Sequence, residues 1–288
     1  MLIIQQRQNI ERNYMNYIGS KYSLLDFLHK TISKVTHYKD GDPYVFADLF
    51  AGTGVVGAYY RKLGCEIISN DLQYYSYAVN KHLIENTDSV KVDFLDRLNS
   101  LPGIDGFIYN NYCAGSGSGR NYFTDFNGRK CDAIRTELEK LLKANKIDED
   151  TYFYYLASLI NSIDKYANTA SVYGAFLKGI KKSAAKDFSL ELLPITNGPR
   201  GKVYNKDINI LVDEISGDVL YLDPPYNERQ YCANYHVLET IAKYDSPVVK
   251  GVTGLRDYSE QKSAFCSGKT VLNAFENLIK KAEFKYIF

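Results

Sequence analysis

The run Val219-Leu220-Tyr221-Leu222-Asp223-Pro224-Pro225-Tyr226 constrains this chain more than any other stretch. Its unbroken apolar start reads as a strand buried on both faces, and such strands belong to parallel sheets covered by helices on either side. Two prolines then stop the ladder and fix a rigid, extended exit. At the carboxyl end of a strand, that exit is where an open α/β sheet places its chemistry. The exit presents the Asp223 carboxylate, the Pro224 carbonyl and the ring of Tyr226. Together these suit a planar ring bearing an amine: two acceptors for the NH2 hydrogens and an aromatic face for stacking. Drawing both hydrogens towards acceptors frees the nitrogen lone pair, so that a poor nucleophile becomes usable.

Two βα units are expected upstream. Tyr44 to Phe50 reads as a strand running into Asp48-Leu49-Phe50-Ala51-Gly52-Thr53-Gly54, with a helix following through Val55, Val56, Ala58 and Tyr59 to Gly64. Glycines between strand and helix let a ligand approach the backbone closely. The spacing is not G-x-G-x-x-G and no P-loop lysine follows, so a phosphate ligand is disfavoured. Asp48 instead suits a ligand with an ammonium group. The next strand, from Cys65, ends in Asn70-Asp71. Asp71 stands about 20 residues beyond the glycine loop, the spacing at which a carboxylate grips a nucleotide ribose. A helix over 72–86 follows. Before these units, Tyr17-Ile18-Gly19-Ser20-Lys21 leads into a helix with Leu24, Leu25, Phe27, Leu28, Ile32 and Val35 at helical spacing. Ser20 is the expected N-cap, leaving N–H groups and the Lys21 charge to face a carboxylate.

Near residue 95 the βα rhythm breaks. The glycine- and serine-rich segment 110–122 reads as a mobile loop, and Arg120 and Tyr122 within it are candidates for nucleic-acid contact. Two helices should follow, one over about 130–145 and one opening on the acidic Asp148-Glu149-Asp150. Although the whole chain carries a net charge of only +1, basic residues exceed acidic ones by about five between Gly115 and Lys206. Lys178, Lys181 and Lys182 lie in the densest basic cluster, a pattern by which a near-neutral protein docks a phosphate backbone. The α/β rhythm resumes at Tyr204-Asn205-Lys206-Asp207, where Asp207 either caps a helix over 208–215 or faces a ligand. Past Tyr226, Arg229 and Tyr231 lie at the mouth of the candidate site. Helices through 235–244 and 271–279 then lead to a last strand from Phe284.

The chain has no 18-residue apolar span and no signal-peptide pattern, so a soluble cytoplasmic protein is expected. Its five cysteines form no C-x-x-C pair and no zinc-like spacing with histidine, so neither a metal site nor a disulfide framework is expected.

Taken in order, Tyr17-Ile18-Gly19-Ser20-Lys21, the Asp48–Gly54 turn, Asn70-Asp71, Asn205-Lys206-Asp207 and Asp223-Pro224-Pro225-Tyr226 resemble the motifs of the alpha-group DNA adenine methyltransferases, the class of Dam-like and type II restriction-modification enzymes. The resemblance covers most of 14–288. It implies an α/β fold: a Rossmann-like, S-adenosylmethionine-dependent sheet formed by 14–94 and 203–288, with 95–202 an inserted, mainly helical target-recognition region. It also implies that Tyr17, Lys21, Asp48, Phe50, Gly52, Gly54, Asp71, Asp207 and Asp223 bind S-adenosylmethionine. Asp48 and the glycine turn, helped by Lys21, would hold its methionine moiety, Asp71 its ribose and Asp207 its adenine amine. Asp223, Pro224 and Tyr226 would be catalytic, gripping a target adenine flipped out of double-stranded DNA. Arg120, Tyr122, Lys178, Lys181, Lys182, Arg229 and Tyr231 would contact the DNA. In that family the sheet continues beyond the strand at Phe284. The resemblance thus implies that the C-terminal strands are missing here and that a polypeptide completing the sheet is a partner; a cognate restriction endonuclease is the other expected partner besides DNA. The alternatives are a truncated, catalytically impaired DNA- or cofactor-binding protein and an RNA adenine methyltransferase. Protein glutamine methyltransferases carry Asn where this chain has Asp223, which ranks them low.

Overall fold

The central strands of the sheet hold short apolar runs closed, at or just past their ends, by a polar residue. A computed structural model describes Met15 and residues 17–87, 89–225 and 230–288. They divide into two compact units: the described residues up to Ile18 together with Ser89–Pro194 and Ala233–Tyr258, and Gly19–Asp88 with Ile195–Cys232 and Ser259–Phe288.

The second unit carries the sheet. Strands β1 (Val45–Asp48), β2 (Glu66–Asn70), β3 (Lys202–Tyr204), β4 (Ser216–Tyr221) and β5 (Glu283–Ile287) pair in the order β3-β2-β1-β4-β5. Every pairing is parallel. The chain starts at the central strand, builds outward through β2 and β3, then returns to the other side of β1 with β4. The order reverses between β1 and β4, and the carboxyl ends there are where an open α/β sheet binds its ligand. Helices Val55–Lys62 and Tyr74–Asn80 follow β1 and β2, and helix Val271–Lys281 precedes β5.

Alternate residues of the central strands face opposite layers, and both layers are covered. Ala47, Ile68 and Leu220 join Leu211, Phe265 and Leu278 in one core. Phe46, Ile67 and Val219, one position earlier in each strand, are fully buried too, and Phe46 stacks on Tyr60 with centroids 3.9 Å apart. Both-sided burial is why these strands read as continuous apolar runs rather than alternating ones.

Two local expectations fail. Ser20 caps no helix: a 3-10 turn, Tyr22–Leu24, intervenes with Lys21 at its N-cap and no side-chain cap bond, and the α-helix is Leu25–Thr36. The helix expected over 208–215 is a single turn, Ile208–Leu211.

The first unit is mainly helical, with helices Leu95–Ser100, Phe107–Tyr112, Asp125–Lys143, Glu149–Lys165 and His236–Lys243. Thr124 and Asp148 cap the two long helices through their side chains, taking bonds from Asn127 N and Thr151 N. The sequence grouped helix His236–Lys243 with the sheet, but it belongs here. Arg135, 2% exposed, donates to the carbonyls of Ile241 and Ala242 at 2.9 Å each, and its charge is met by Glu139 at 2.7 Å. A buried guanidinium thus serves the carbonyls that the end of a helix leaves unpaired.

Among the described residues no helix is long and apolar enough to cross a membrane and no cluster of acids, histidines or cysteines could hold a metal. All five cysteines are buried and unbridged.

Candidate active site

The site begins with strand ends. Asp48 closes β1, paired in register with Ser69 of β2 and Tyr221 of β4, so Asp71 and Asp223 each emerge two residues beyond a partner of Asp48. Three carboxylates therefore leave the sheet side by side across the reversal in strand order.

Asp48 is the unusual one. It is 1% exposed, and its Oδ1 has no hydrogen-bond partner. Burial pushes its pKa up to about 8, reinforced by the charges of Asp223 and Asp71; the Gly57 N–H and the Lys21 ammonium pull the other way without offsetting the loss of water. An orphaned, buried carboxylate oxygen in an acidic surround is a socket for a cation.

The glycine turn beside it is held from three sides. Asp71 accepts from Gly52 N and Gln73 N, both at 2.8 Å. The Gly52 carbonyl accepts from the Ser76 hydroxyl and from Asn80 Nδ2 (3.1 Å), and Asn80 Oδ1 takes the Ser69 hydroxyl at 2.8 Å. Gly54 has φ +74°, and a Cβ there would lie 2.6 Å from Asn80 Oδ1. Only glycine keeps this turn flat enough for a ligand to lie on its backbone. Ser76 and Asn80 escaped the sequence reading, although a polar pair four residues apart on an otherwise packed helix was a usable signal.

The neighbouring motif is tied to the same strand end. Asn70 accepts from Lys206 N at 3.0 Å and donates to Lys206 O, while Asn205 donates to Asp71 O at 2.7 Å. Asp207 is exposed and caps helix Ile208–Leu211 by accepting from Asn209 N, so of its two readings the capping one is visible. Phe50 is half-buried, edge-on to Phe265 at 5.0 Å.

Asp223 is half-buried and ion-paired with Lys21, whose ammonium also donates to Gly19 O at 2.8 Å. Lys21 thus holds the carboxylate at the end of β4 rather than standing free. Leu222 N donates to Phe288 O at 2.9 Å, the last ladder bond before Pro224. Tyr226 and Arg229 lie outside the described residues. The hydroxyl of Tyr231 lies against Gly19, 3.1 Å from where a Cβ would stand. Tyr17 belongs to the helical unit, where its ring stacks on Tyr235 at 4.8 Å.

One expected DNA contact is corrected. Tyr122 is 0% exposed, and its hydroxyl donates to Tyr173 O at 2.6 Å, so it is a core residue. Arg120 is half-buried and spends its guanidinium on the carbonyls of Asn111, Gly251 and Val252. Lys178 and Lys182 are exposed; the half-buried Lys181 donates to Thr169 O at 2.7 Å. Nor is 110–122 loose: Phe107–Tyr112 is helical, and Gly115 N is bonded to Asp125 at 2.7 Å.

The model of the D12 class N6 adenine-specific DNA methyltransferases matches residues 17–288. The chain belongs to this family. It is 52% identical over 277 residues to the type II methyltransferase M.NlaIII of Neisseria lactamica, covering 95% of this chain and 82% of that one. It is 41% identical to the type II methyltransferase M.FokI of Planomicrobium okeanokoites and 37% identical to the modification methylase LlaI of Lactococcus lactis subsp. lactis, in each case over 95% of this chain. The chain spans 44% and 45% of those two. No solved structure matches it. As a D12 class methyltransferase, the chain presents Asp223-Pro224 at the carboxyl end of a central parallel strand, beside a glycine turn and two further acids.

Proposed function

We propose that this enzyme transfers methyl from S-adenosylmethionine to the exocyclic amine of an adenine flipped out of double-stranded DNA, as the modification enzyme of a restriction-modification system. The observation that carries the reading is the buried, unpartnered Asp48 oxygen between two other carboxylates, beside a turn only glycine can form. That socket fits the ammonium of the methionine moiety, with the turn against its backbone. Asp71, which braces the turn through Gly52 N, is the proposed partner of the ribose hydroxyls. Asp207, at the adjoining strand end, stands to take the cofactor's adenine amine, and Phe50 is its proposed aromatic contact.

When bound, S-adenosylmethionine supplies an electrophilic methyl on a positively charged sulfur with a neutral thioether as leaving group. The protein's part is positioning and electrostatics. Lys21 fixes Asp223 through one carboxylate oxygen and leaves the second to accept from the adenine amine. The Pro224 carbonyl takes the other amine hydrogen, and the proposed role of Tyr226 is to stack on the flipped base. The nitrogen lone pair would thereby be freed to take the methyl, and the surplus proton would then pass from the nitrogen to the Asp223 carboxylate or to water. Lys178, Lys182 and Arg229 are the proposed phosphate contacts, with Lys181 and Tyr231 in support.

Asp223→Ala tests the assignment. Cofactor titration should give an affinity close to wild type while methyl transfer to DNA falls by several orders of magnitude; retained transfer would refute the role of Asp223.

A further inference from the structure

The helical unit contains two exposed projections that are held with unusual care. One is the tight turn Lys250–Leu255, closed by reciprocal backbone bonds of 2.9 and 2.8 Å between its ends. Its tip residue, Val252, is 80% exposed. The other is the stretch 176–182, which carries the exposed Lys178 and Lys182 with Leu177 and Ile180.

Three consecutive residues hold both. Arg120 donates to Gly251 O (3.0 Å) and Val252 O (3.2 Å) of the turn while anchored on Asn111 O (3.1 Å). Its path requires Gly254, where a Cβ would meet Arg120 Nε at 2.6 Å; Tyr112 adds a bond to Gly254 O at 2.8 Å. Asn121 donates to Leu177 O and Lys178 O, both at 3.1 Å. Tyr122 packs edge-on against Phe176 at 5.1 Å and bonds Tyr173 O. A turn that merely joins two segments needs no such bracing. One that must present a side chain in a fixed pose does, because orienting a contact in advance removes the cost of ordering it on binding.

We propose that Arg120, Asn121 and Tyr122 are positioning residues that set two DNA-reading projections in register, with Val252 making an apolar contact to a base edge and Lys178 and Lys182 holding the phosphates. This rests on the reading of the helical unit as the DNA-binding part. The division of labour follows from chemistry: exposed ammonium groups neutralise phosphates without regard to sequence, whereas an apolar tip distinguishes bases through the thymine methyl, the apolar group of the major groove. It also reverses the role expected of Arg120 from sequence, because a guanidinium committed to three carbonyls acts through the turn it holds.

The test uses the full chain. Methylated positions in unmethylated genomic DNA are mapped, and duplexes carrying the mapped site and each single-base variant are compared by kcat/KM and by binding across a salt series. Val252→Ser, on a surface where folding is not at stake, should cut discrimination at one base pair about tenfold and leave the salt slope unchanged. Arg120→Gln should copy that loss, also without changing the slope. Lys178→Ala with Lys182→Ala should lower the slope by about 1.8 with discrimination intact. Undiminished discrimination in Val252→Ser would overturn the proposal, as would a slope lowered by about 0.9 in Arg120→Gln with discrimination retained. A wild-type protein that methylates no DNA would instead overturn the function on which the proposal rests, so the two failures are distinguishable.

Discussion

Binding of a cationic cofactor at Asp48 should be coupled to loss of a proton. The carboxyl, ordinarily ionised above pH 4, is held to a pKa of about 8 by burial and by the neighbouring charges of Asp223 and Asp71. At pH 7 about one molecule in ten then carries the anion, so a ligand that needs it forgoes about 1.4 kcal/mol of affinity. The apparent Kd for S-adenosylmethionine should fall about tenfold from pH 6 to pH 7 and less steeply after that. The ligand's own α-ammonium titrates near pH 8, so the informative window lies well below it. Calorimetry at pH 6.5 in two buffers of different ionisation enthalpy should report close to one proton released per cofactor bound. Asp48→Asn should bind more weakly, with no proton released and no slope over this window. A wild-type Kd that is flat between pH 6 and 7.5, with heats independent of buffer, would refute the reasoning that the socket accepts a cation through ionised Asp48.

The same group predicts a stability profile. Because its folded pKa is raised, the contribution of Asp48 is fully present below about pH 4 and is lost as pH rises towards about 8. Thermal midpoints of the ligand-free protein should decline over that range, and Asp48→Asn should flatten the decline. His236 acts in the opposite sense: burial lowers its pKa to about 4, with Nε2 bonded to Tyr173 O at 2.9 Å. Its contribution is present above about pH 6.5 and lost as pH falls through about 4, so His236→Gln should blunt acid unfolding in a pH-jump series. Gly54→Ala places a Cβ on Asn80 at a backbone angle side chains rarely adopt, which should cost about 1–3 kcal/mol in chemical unfolding and weaken the cofactor more than DNA. Asn80→Ala removes one of the two side-chain donors to the Gly52 carbonyl, so cofactor KM should rise with little change in DNA affinity.

Much of the sheet unit could be read from the chain because its punctuation is chemical. Asp48, Asp71 and Asp223 mark strand ends, and apolar runs buried on both faces cannot be mistaken for amphipathic helices. Boundaries set by tertiary contact were not readable in this way. Helix Asp125–Lys143 begins five residues before the expected start because Asn127 and Gly128 look like breakers. Gly128 is there for packing, since a Cβ would strike Cys113 Sγ at 2.0 Å, and Asn127 spends its amide on the carbonyls of Ala184 and Lys186. Tyr122 sits among glycines and serines and so looks exposed, yet the residues that bury it come from 112, 173, 176 and 236. Helix His236–Lys243 follows the Asp223-Pro224-Pro225-Tyr226 motif in sequence but is bonded through Arg135 to the helical unit, a pairing across about a hundred residues that no local pattern announces. At the site the acids were legible; the bracing by Ser76 and Asn80 showed only as a polar pair four residues apart on a packed helix, a spacing that does not say which carbonyl the pair holds.

The most direct test is to supply labelled S-adenosylmethionine with unmethylated genomic DNA, RNA and protein, using wild type and Asp223→Ala in parallel. The account predicts label in the N6 position of DNA adenine with wild type alone, and cofactor binding retained by both. Label in RNA or protein, or transfer to DNA that survives the loss of Asp223, would contradict it.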